Sequence, residues 1–288
     1  MSSAVLFDAP GPKTVARHRV YTFVAALGLL GLLAFVGWKL YSEDQFAYAK
    51  WEPFLTPRYL EALWNGLVTT LQMAFTAVLG AVVVGVVLGV GKMSDHGWVR
   101  WPAWAVVEFF RAVPVLLLMI FVFYSYGISR GDSGAYWSVV IALTLYNGAV
   151  LAEIFRAGVL AVPAGQAEAA YAVGMRKTQV MQIVLLPQAV KIMLPAIISQ
   201  CVVALKDTSL GYAVAAPGLT IVGTRIYTSF QNQVPTVFVI AAMYIAVNFL
   251  LTLLATYVQH KLVGEKNPID LTRVGVPQGG ADAGRGLV

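Results

Sequence analysis

Six runs of about 20 mostly apolar residues are the feature that most limits what this chain can fold into. One helix needs about that length to cross the hydrocarbon core of a bilayer. Charged residues make up 12% of the chain, about half the share of a soluble domain. We therefore predict an all-α polytopic membrane bundle with about six transmembrane helices, which cover roughly residues 20–41, 62–91, 102–128, 136–158, 189–210 and 235–259.

The first run must be distinguished from a cleaved signal peptide. The apolar stretch from Tyr21 to Tyr41 is longer than the apolar core of a signal peptide. It is followed by Ser42-Glu43-Asp44-Gln45 rather than by small residues typical of a cleavage site. We predict that this helix is retained.

The distribution of lysine and arginine among the loops predicts the orientation. With the N-terminus inside, the inner segments hold twelve of these residues and the outer loops hold five. Cytoplasmic loops are enriched in positive charge, so both termini and the connection 159–188 are predicted to be cytoplasmic. This bias also explains the net charge of +6, so we expect no nucleic-acid partner.

The remaining segments divide the chain further. Residues 1–19 are predicted to be a disordered cytoplasmic leader and 261–288 a disordered cytoplasmic tail, because both lack apolar periodicity. Residues 20–60 form an additional first helix followed by an outer segment, 42–60, whose aromatic residues suit the membrane surface. Residues 61–260 form the main transmembrane domain.

The connection 159–188 differs from an ordinary short loop. Pro163 is suited to the first turn of a helix, and an alanine-rich stretch runs from there to Gly174, a typical helix stop. A second short helix is predicted from about Arg176 to Leu185, ending before Pro187. Small residues on one face (Ala167, Ala170, Gly174) would let another protein dock closely. From periodicity alone, an ordinary amphipathic interfacial helix is the alternative.

The spacing of residues in this connection resembles a known family motif. The pattern Glu168-Ala169-Ala170, then Gly174, Val184 and Leu186-Pro187 resembles the EAA loop of ATP-binding cassette (ABC) importer permeases. The flanking stretches 65–71, 108–114, 147–158, 162–168 and 206–210 resemble the polar amino acid branch of that family. The additional first helix and the leader are similar to glutamate permeases of actinobacteria.

This resemblance implies a five-helix type I importer core preceded by an additional helix. It implies transport of a polar amino acid across a bacterial inner membrane, with glutamate or a related compound as the expected substrate. The implied partners are two ATPase subunits, a second permease subunit, identical or homologous, and an extracytoplasmic substrate-binding protein. ATP and magnesium would bind the partner subunits, and no cofactor or metal is expected on this chain. The residues implied to couple to the ATPase are Pro163, Gly165, Gln166, Glu168, Ala169, Ala170, Gly174 and Pro187.

Ionisable residues at membrane depth are costly and are candidates for function. Glu108 and Arg111, and likewise Glu153 and Arg156, are three residues apart and lie on one helix face. Structural ion pairs or interfacial anchors are the favoured interpretation of both.

A second polar cluster, Lys206-Asp207-Thr208-Ser209, lies at the predicted outer end of the fifth helix. It offers both charges and the hydroxyls that a zwitterionic amino acid would need. Substrate contact and helix capping remain alternatives. Other polar residues that could face a path are Asn65, Thr69, Thr70, Gln72, Asn147, Ser199 and Gln200.

The sequence does not predict an enzyme. Gly89-Val-Gly91-Lys92-Met93 lacks the spacing and the hydroxyl of a phosphate-binding loop, and no nucleophile with a partnered base is recognisable. A self-sufficient secondary transporter or channel remains the alternative function. It would need an internal repeat or a buried ion relay, and no convincing repeat is visible.

Overall fold

The computed structural model describes residues 12–263, and all secondary structure in that range is helical. The described residues divide into two units, one containing residues 12–44 and the other residues 45–263. The helices are α1 Pro12–Ser42, α2 Tyr48–Trp51, α3 Pro57–Lys92, α4 Gly97–Ala112, α5 Val115–Val122, α6 Gly131–Leu160, α7 Ala164–Ala172, α8 Lys177–Gln179, α9 Leu186–Asp207, α10 Leu219–Phe230 and α11 Gln233–Val263. Shorter 3₁₀ turns lie at Glu52–Leu55, Ile128–Arg130 and Thr208–Val214, and π-helical turns at Phe123–Gly127 and Val180–Leu185.

Membrane-length apolar helices confirm the predicted fold class. Five segments of the described chain are long and apolar enough to cross a bilayer. One of them, Val115–Leu160, has 46 residues and reverses at Gly131, whose φ is 58°. It therefore contributes two antiparallel crossings, which gives the predicted total of about six.

The predicted third span, 102–128, is not one helix. Val113 has an extended backbone, with φ −79° and ψ 127°, and it separates α4 from α5. A proline disfavours the helical conformation of the residue before it, so Pro114 ends the helix at Ala112. The membrane-length segment begins only at Val115.

Both ends of the described chain are more helical than predicted. α1 begins at Pro12, so residues 12–19 of the predicted disordered leader are helical; proline is well suited to a first helical position. α11 continues to Val263, past the predicted boundary at 260. The rest of both predicted disordered segments lies outside the described residues.

Residues 45–60 of the predicted outer segment pack against the helical bundle. Phe54 is buried in a cluster with Leu63 and Leu219, and Trp51 packs against it. The Trp51 indole Nε1 donates to the carbonyl of Gln45 at 2.9 Å. The aromatic residues of this segment therefore act partly as core residues.

The crossing of α3 and α6 forms the centre of the bundle. A Cβ at Gly85 would lie 2.8 Å from the Cβ of Leu151, and one at Gly148 would lie 2.7 Å from Val84 Cγ1. These glycines let the two backbones approach closely. The Gly85-x-x-x-Gly89 pattern in α3 is thus a packing feature.

Candidate functional site

The first half of the connection 159–188 is a short helix with a well-defined end. Pro163 immediately precedes α7. At the other end, the Met175 N–H donates to Ala170 O at 3.2 Å and the Gly174 N–H to Tyr171 O at 2.9 Å. These two bonds form a Schellman motif, which needs a left-handed residue. Gly174 supplies it, with φ 86°, and a Cβ there would meet no described atom within 4 Å.

The second half of the connection continues into α9, so the predicted end of a short helix before Pro187 was wrong. Arg176 caps α8, its N–H accepted by the Gln179 side chain at 2.8 Å. The chain then forms the π-helical turn Val180–Leu185 and enters α9 without a break at Pro187. Pro187 lies in the first turn of α9, and the widened π turn before it avoids the steric conflict that a proline causes in a regular helix.

The predicted coupling residues differ in how far they are exposed to solvent. Ala170 and Val180 are buried, so Ala170 supports the fold and is not part of an open docking face, contrary to prediction. The exposed members are Pro163, Gly165, Gln166, Glu168, Ala169, Gly174 and Pro187. A Cβ at Gly165 would meet no described atom within 4 Å. The described residues offer Glu168 neither a hydrogen bond nor an ion pair.

One ion pair links this connection to the bundle, and one side-chain contact links its two halves. Lys177 forms an ion pair with Asp95, in the turn between α3 and α4. The hydrogen bond and the charge of Lys177 lower the pKa of the Asp95 carboxyl. The Gln188 amide lies 3.5 Å from the side-chain oxygen of Gln166, so the start of α9 touches α7.

An ion-pair network lies beside the connection, and both predicted pairs belong to it. Arg111 Nη1 lies 3.2 Å from Glu108, and Arg156 Nη1 lies 3.1 Å from Glu153. Lys92 joins the two pairs: its Nζ lies 2.5 Å from Glu153 and 3.3 Å from Glu108. Its side chain is only 5% exposed. One buried ammonium therefore holds α3, α4 and α6 together near the start of the connection 159–188.

The sequence interpretation missed Lys92 as a network member. Its partners lie 16 and 61 residues away, so no local spacing indicates the contact. Its position in the last turn of α3 was the available signal, because a cation is favoured at a helix C-terminus.

The cluster 206–209 does not converge on one point. Thr208 donates to Leu205 O at 2.6 Å and Ser209 to Lys206 O at 2.7 Å. Both hydroxyl protons are therefore used within the same helical turn. Lys206 is exposed and Asp207 half-buried.

Two of the other polar candidates meet inside the bundle. Gln200 Nε2 donates to Asn147 Oδ1 at 2.6 Å, between α9 and α6. Thr70 instead has a structural role: its buried hydroxyl oxygen accepts the Leu219 N–H at 2.9 Å. Within the described residues, no group of three His, Cys, Asp or Glu could hold a metal ion.

Comparison with protein families decides what this helical body is. Residues 58–264 match the family of binding-protein-dependent transport system inner membrane components. The chain belongs to this family. It is therefore a multi-pass transport permease, a non-catalytic membrane subunit of an ABC importer, and the self-sufficient alternative is not favoured.

Curated relatives agree with this assignment. The permease is 42% identical over 231 residues to the glutamate transport system permease protein GluD of Corynebacterium glutamicum, covering 77% of this chain and 83% of the relative. It is 33% identical over 204 residues to the probable glutamine ABC transporter permease protein GlnP of Bacillus subtilis, covering 68% and 92%.

Solved structures share the fold. A crystal structure of an amino acid ABC transporter with histidines matches with a TM-score of 0.67 and 28% identity, over 71% of this chain and 95% of that one. The MetNI methionine ABC transporter matches with a TM-score of 0.64 and 21% identity, over 72% and 99%, which supports the fold alone.

Proposed function

We propose that this permease carries a polar amino acid, glutamate or a close relative, into the cell, driven by ATP hydrolysis on two partner ATPase subunits. The relatives named for glutamate and glutamine transport support the substrate class. Each ATPase subunit docks on a connection 159–188, in a complex with a second permease. An extracytoplasmic binding protein delivers the substrate, and both termini are cytoplasmic.

The exposed surface of α7 carries the coupling part of the proposal. Glu168 is an exposed carboxylate that the described residues leave unpaired, and near it Gly165 has no side chain and Ala169 only a methyl group. A partner surface can approach such a helix closely and pair with the carboxylate. The Schellman bonds close the end of α7, Ala170 on its inner face is buried, and the Lys177–Asp95 pair ties the following turn to the bundle. The helix and this turn can therefore transmit force as one body.

The ion-pair network centred on Lys92 connects the end of α6 to α3 and α4. Glu153 and Arg156 lie in the last turns of α6, which leads directly into the connection. A displacement of α7 would therefore reach α3 and α4 through Lys92, since one ammonium contacts both carboxylates. We assign these five charges to coupling rather than to substrate.

Substrate contact by Lys206 and Asp207 remains part of the proposal. Their opposite charges match the two charged groups of an amino acid, and the hydroxyls of Thr208 and Ser209 keep lone pairs that can accept hydrogen bonds. Replacing Lys206 by Gln and Asp207 by Asn should raise the KM of uptake without loss of ATPase association.

The test is co-purification of the ATPase with the permease. We expect Glu168→Lys and Gly174→Asp to insert normally but to lose the ATPase, because one reverses the exposed charge and the other strains the left-handed end. Glu61→Lys, a reversal at an exposed position of α3, is the matched control and should retain it. Normal ATPase recovery with both loop variants would refute the docking surface.

A further inference from the structure

A cavity of about 410 Å³ lies beside the ion-pair network. It is an open cavity lined by charged residues from α3, α4 and α6 together with two tryptophans of α4. The lining residues are Lys92, Arg100, Trp101, Trp104, Glu108, Glu153 and Arg156.

Positive charge is left over in this cavity. Lys92 lies between the two carboxylates, and each carboxylate also pairs with an arginine. Arg100 forms no ion pair within the described chain. The positive charge of Arg100 helps to lower the pKa of Asp95, but the carboxylate of Asp95 is paired with Lys177. Arg156 uses only Nη1 in its ion pair, so other N–H groups of this guanidinium are available to a ligand. The site is suited to an anion.

The walls of the cavity indicate where that anion would be. Ala103 and Val107 of α4 are buried, whereas Trp98, Trp101 and Trp104 are 78%, 63% and 47% exposed. Tryptophans on one face of an amphipathic helix are typical of the headgroup region of a bilayer. Arg100 lies on the same helix, within a few residues of these tryptophans.

We propose that this cavity binds the phosphate headgroup of an anionic phospholipid in the leaflet on the side of the coupling connection. Arg100 and Arg156 donate hydrogen bonds to the phosphate oxygens, and the indoles of Trp101 and Trp104 pack against the glycerol backbone and the upper acyl chain. A free phosphate ion would use the arginines but not the indoles, so a lipid fits the lining better. The bound phosphate would offset the excess positive charge next to Lys92.

Tryptophan quenching in mixed micelles tests the proposal on the full chain. Phosphatidylglycerol and phosphatidylcholine, each brominated on the acyl chain, are added separately to the purified protein. We expect phosphatidylglycerol to quench at a several-fold lower mole fraction than phosphatidylcholine. The Trp101→Phe/Trp104→Phe variant should lose this difference. Equal quenching by the two lipids, or a difference that survives in the double variant, would overturn the site.

Arg100→Gln is the decisive single change, because Arg100 is exposed and lies outside the ion pairs. The variant should lose about fivefold in apparent affinity for phosphatidylglycerol, the change expected for one basic residue near an anionic surface. Arg100→Lys should recover part of the loss. Arg225→Gln, at an exposed arginine of α10, is the matched control and should bind normally.

A competition arm separates lipid from free anion. Millimolar inorganic phosphate, at ionic strength matched with chloride, should leave phosphatidylglycerol quenching unchanged. Full displacement by phosphate would show a soluble-anion site, and unchanged lipid binding by Arg100→Gln would show that this cavity is not the site. Either result refutes the proposal and leaves the ATPase docking test unaffected.

Discussion

Lys92 offers the sharpest test of how the network works. Two substitutions affect the same contact in opposite ways. Lys92→Met removes the buried ammonium and keeps a side chain of similar length, and each carboxylate keeps its arginine. Glu153→Gln leaves the ammonium in place, 5% exposed, with Glu108 at 3.3 Å as its remaining carboxylate.

We expect the two variants to lose different amounts of unfolding free energy. A buried charge that has lost its partner destabilises the fold more than removal of that charge does. Breaking a buried pair by deleting one partner costs about 3–5 kcal/mol. We expect Glu153→Gln to cost ~3 kcal/mol, since Glu108 remains close. Lys92→Met should cost about 1–2 kcal/mol, because two charge-assisted bonds are lost but the desolvation cost of the ammonium disappears too. The double variant should resemble Lys92→Met alone.

The assay is the thermal midpoint of the purified protein. A loss of ~3 kcal/mol corresponds to a decrease of roughly 6–12 °C for a domain of this size. Lys39→Met is the matched control, because Lys39 and Glu43 form an ion pair with side chains 58% and 55% exposed, and such pairs contribute about 0–1 kcal/mol. A larger loss for Lys92→Met than for Glu153→Gln would refute the argument that burial of the ammonium dominates.

Three further comparisons use the same thermal assay. Gly174→Ala should cost about 1–2 kcal/mol, because an alanine is strained at a φ of 86°, whereas Gly165→Ala should cost nothing; equal effects would contradict this. Thr70→Val should cost about 1–3 kcal/mol by leaving a buried N–H of α10 unpaired; Thr69→Val, whose hydroxyl bonds only within its own helix, is the control. Gly148→Val should cost about 1–3 kcal/mol by forcing α3 and α6 apart. An unchanged thermal midpoint would contradict the close packing of these two helices.

Patterns within single helices were predictable from the sequence. Apolar length predicted the crossings, and three-residue spacing predicted the pairs Glu108–Arg111 and Glu153–Arg156. The left-handed end of α7 followed from Gly174, since glycine is the common residue for that conformation. The break before Pro114 had a signal too, but the apolar residues on either side of it concealed the break.

Contacts between distant segments were not predictable. Lys92 meets Glu153 across 61 residues, and only the packing of α3 on α6 brings them together. The burial of Ala170 depends on how α7 lies on the π-helical turn, and periodicity gives no information about that. The helix continues through Pro187 because of the π-helical turn Val180–Leu185, and no residue pattern predicts that turn.

The most direct test of the account is ATP-dependent uptake of radiolabelled glutamate into proteoliposomes that contain the permease, its ATPase and its binding protein. We predict uptake that requires ATP, is abolished by Glu168→Lys and is retained by Glu61→Lys. Uptake at the wild-type rate in the absence of the ATPase subunit would contradict the account.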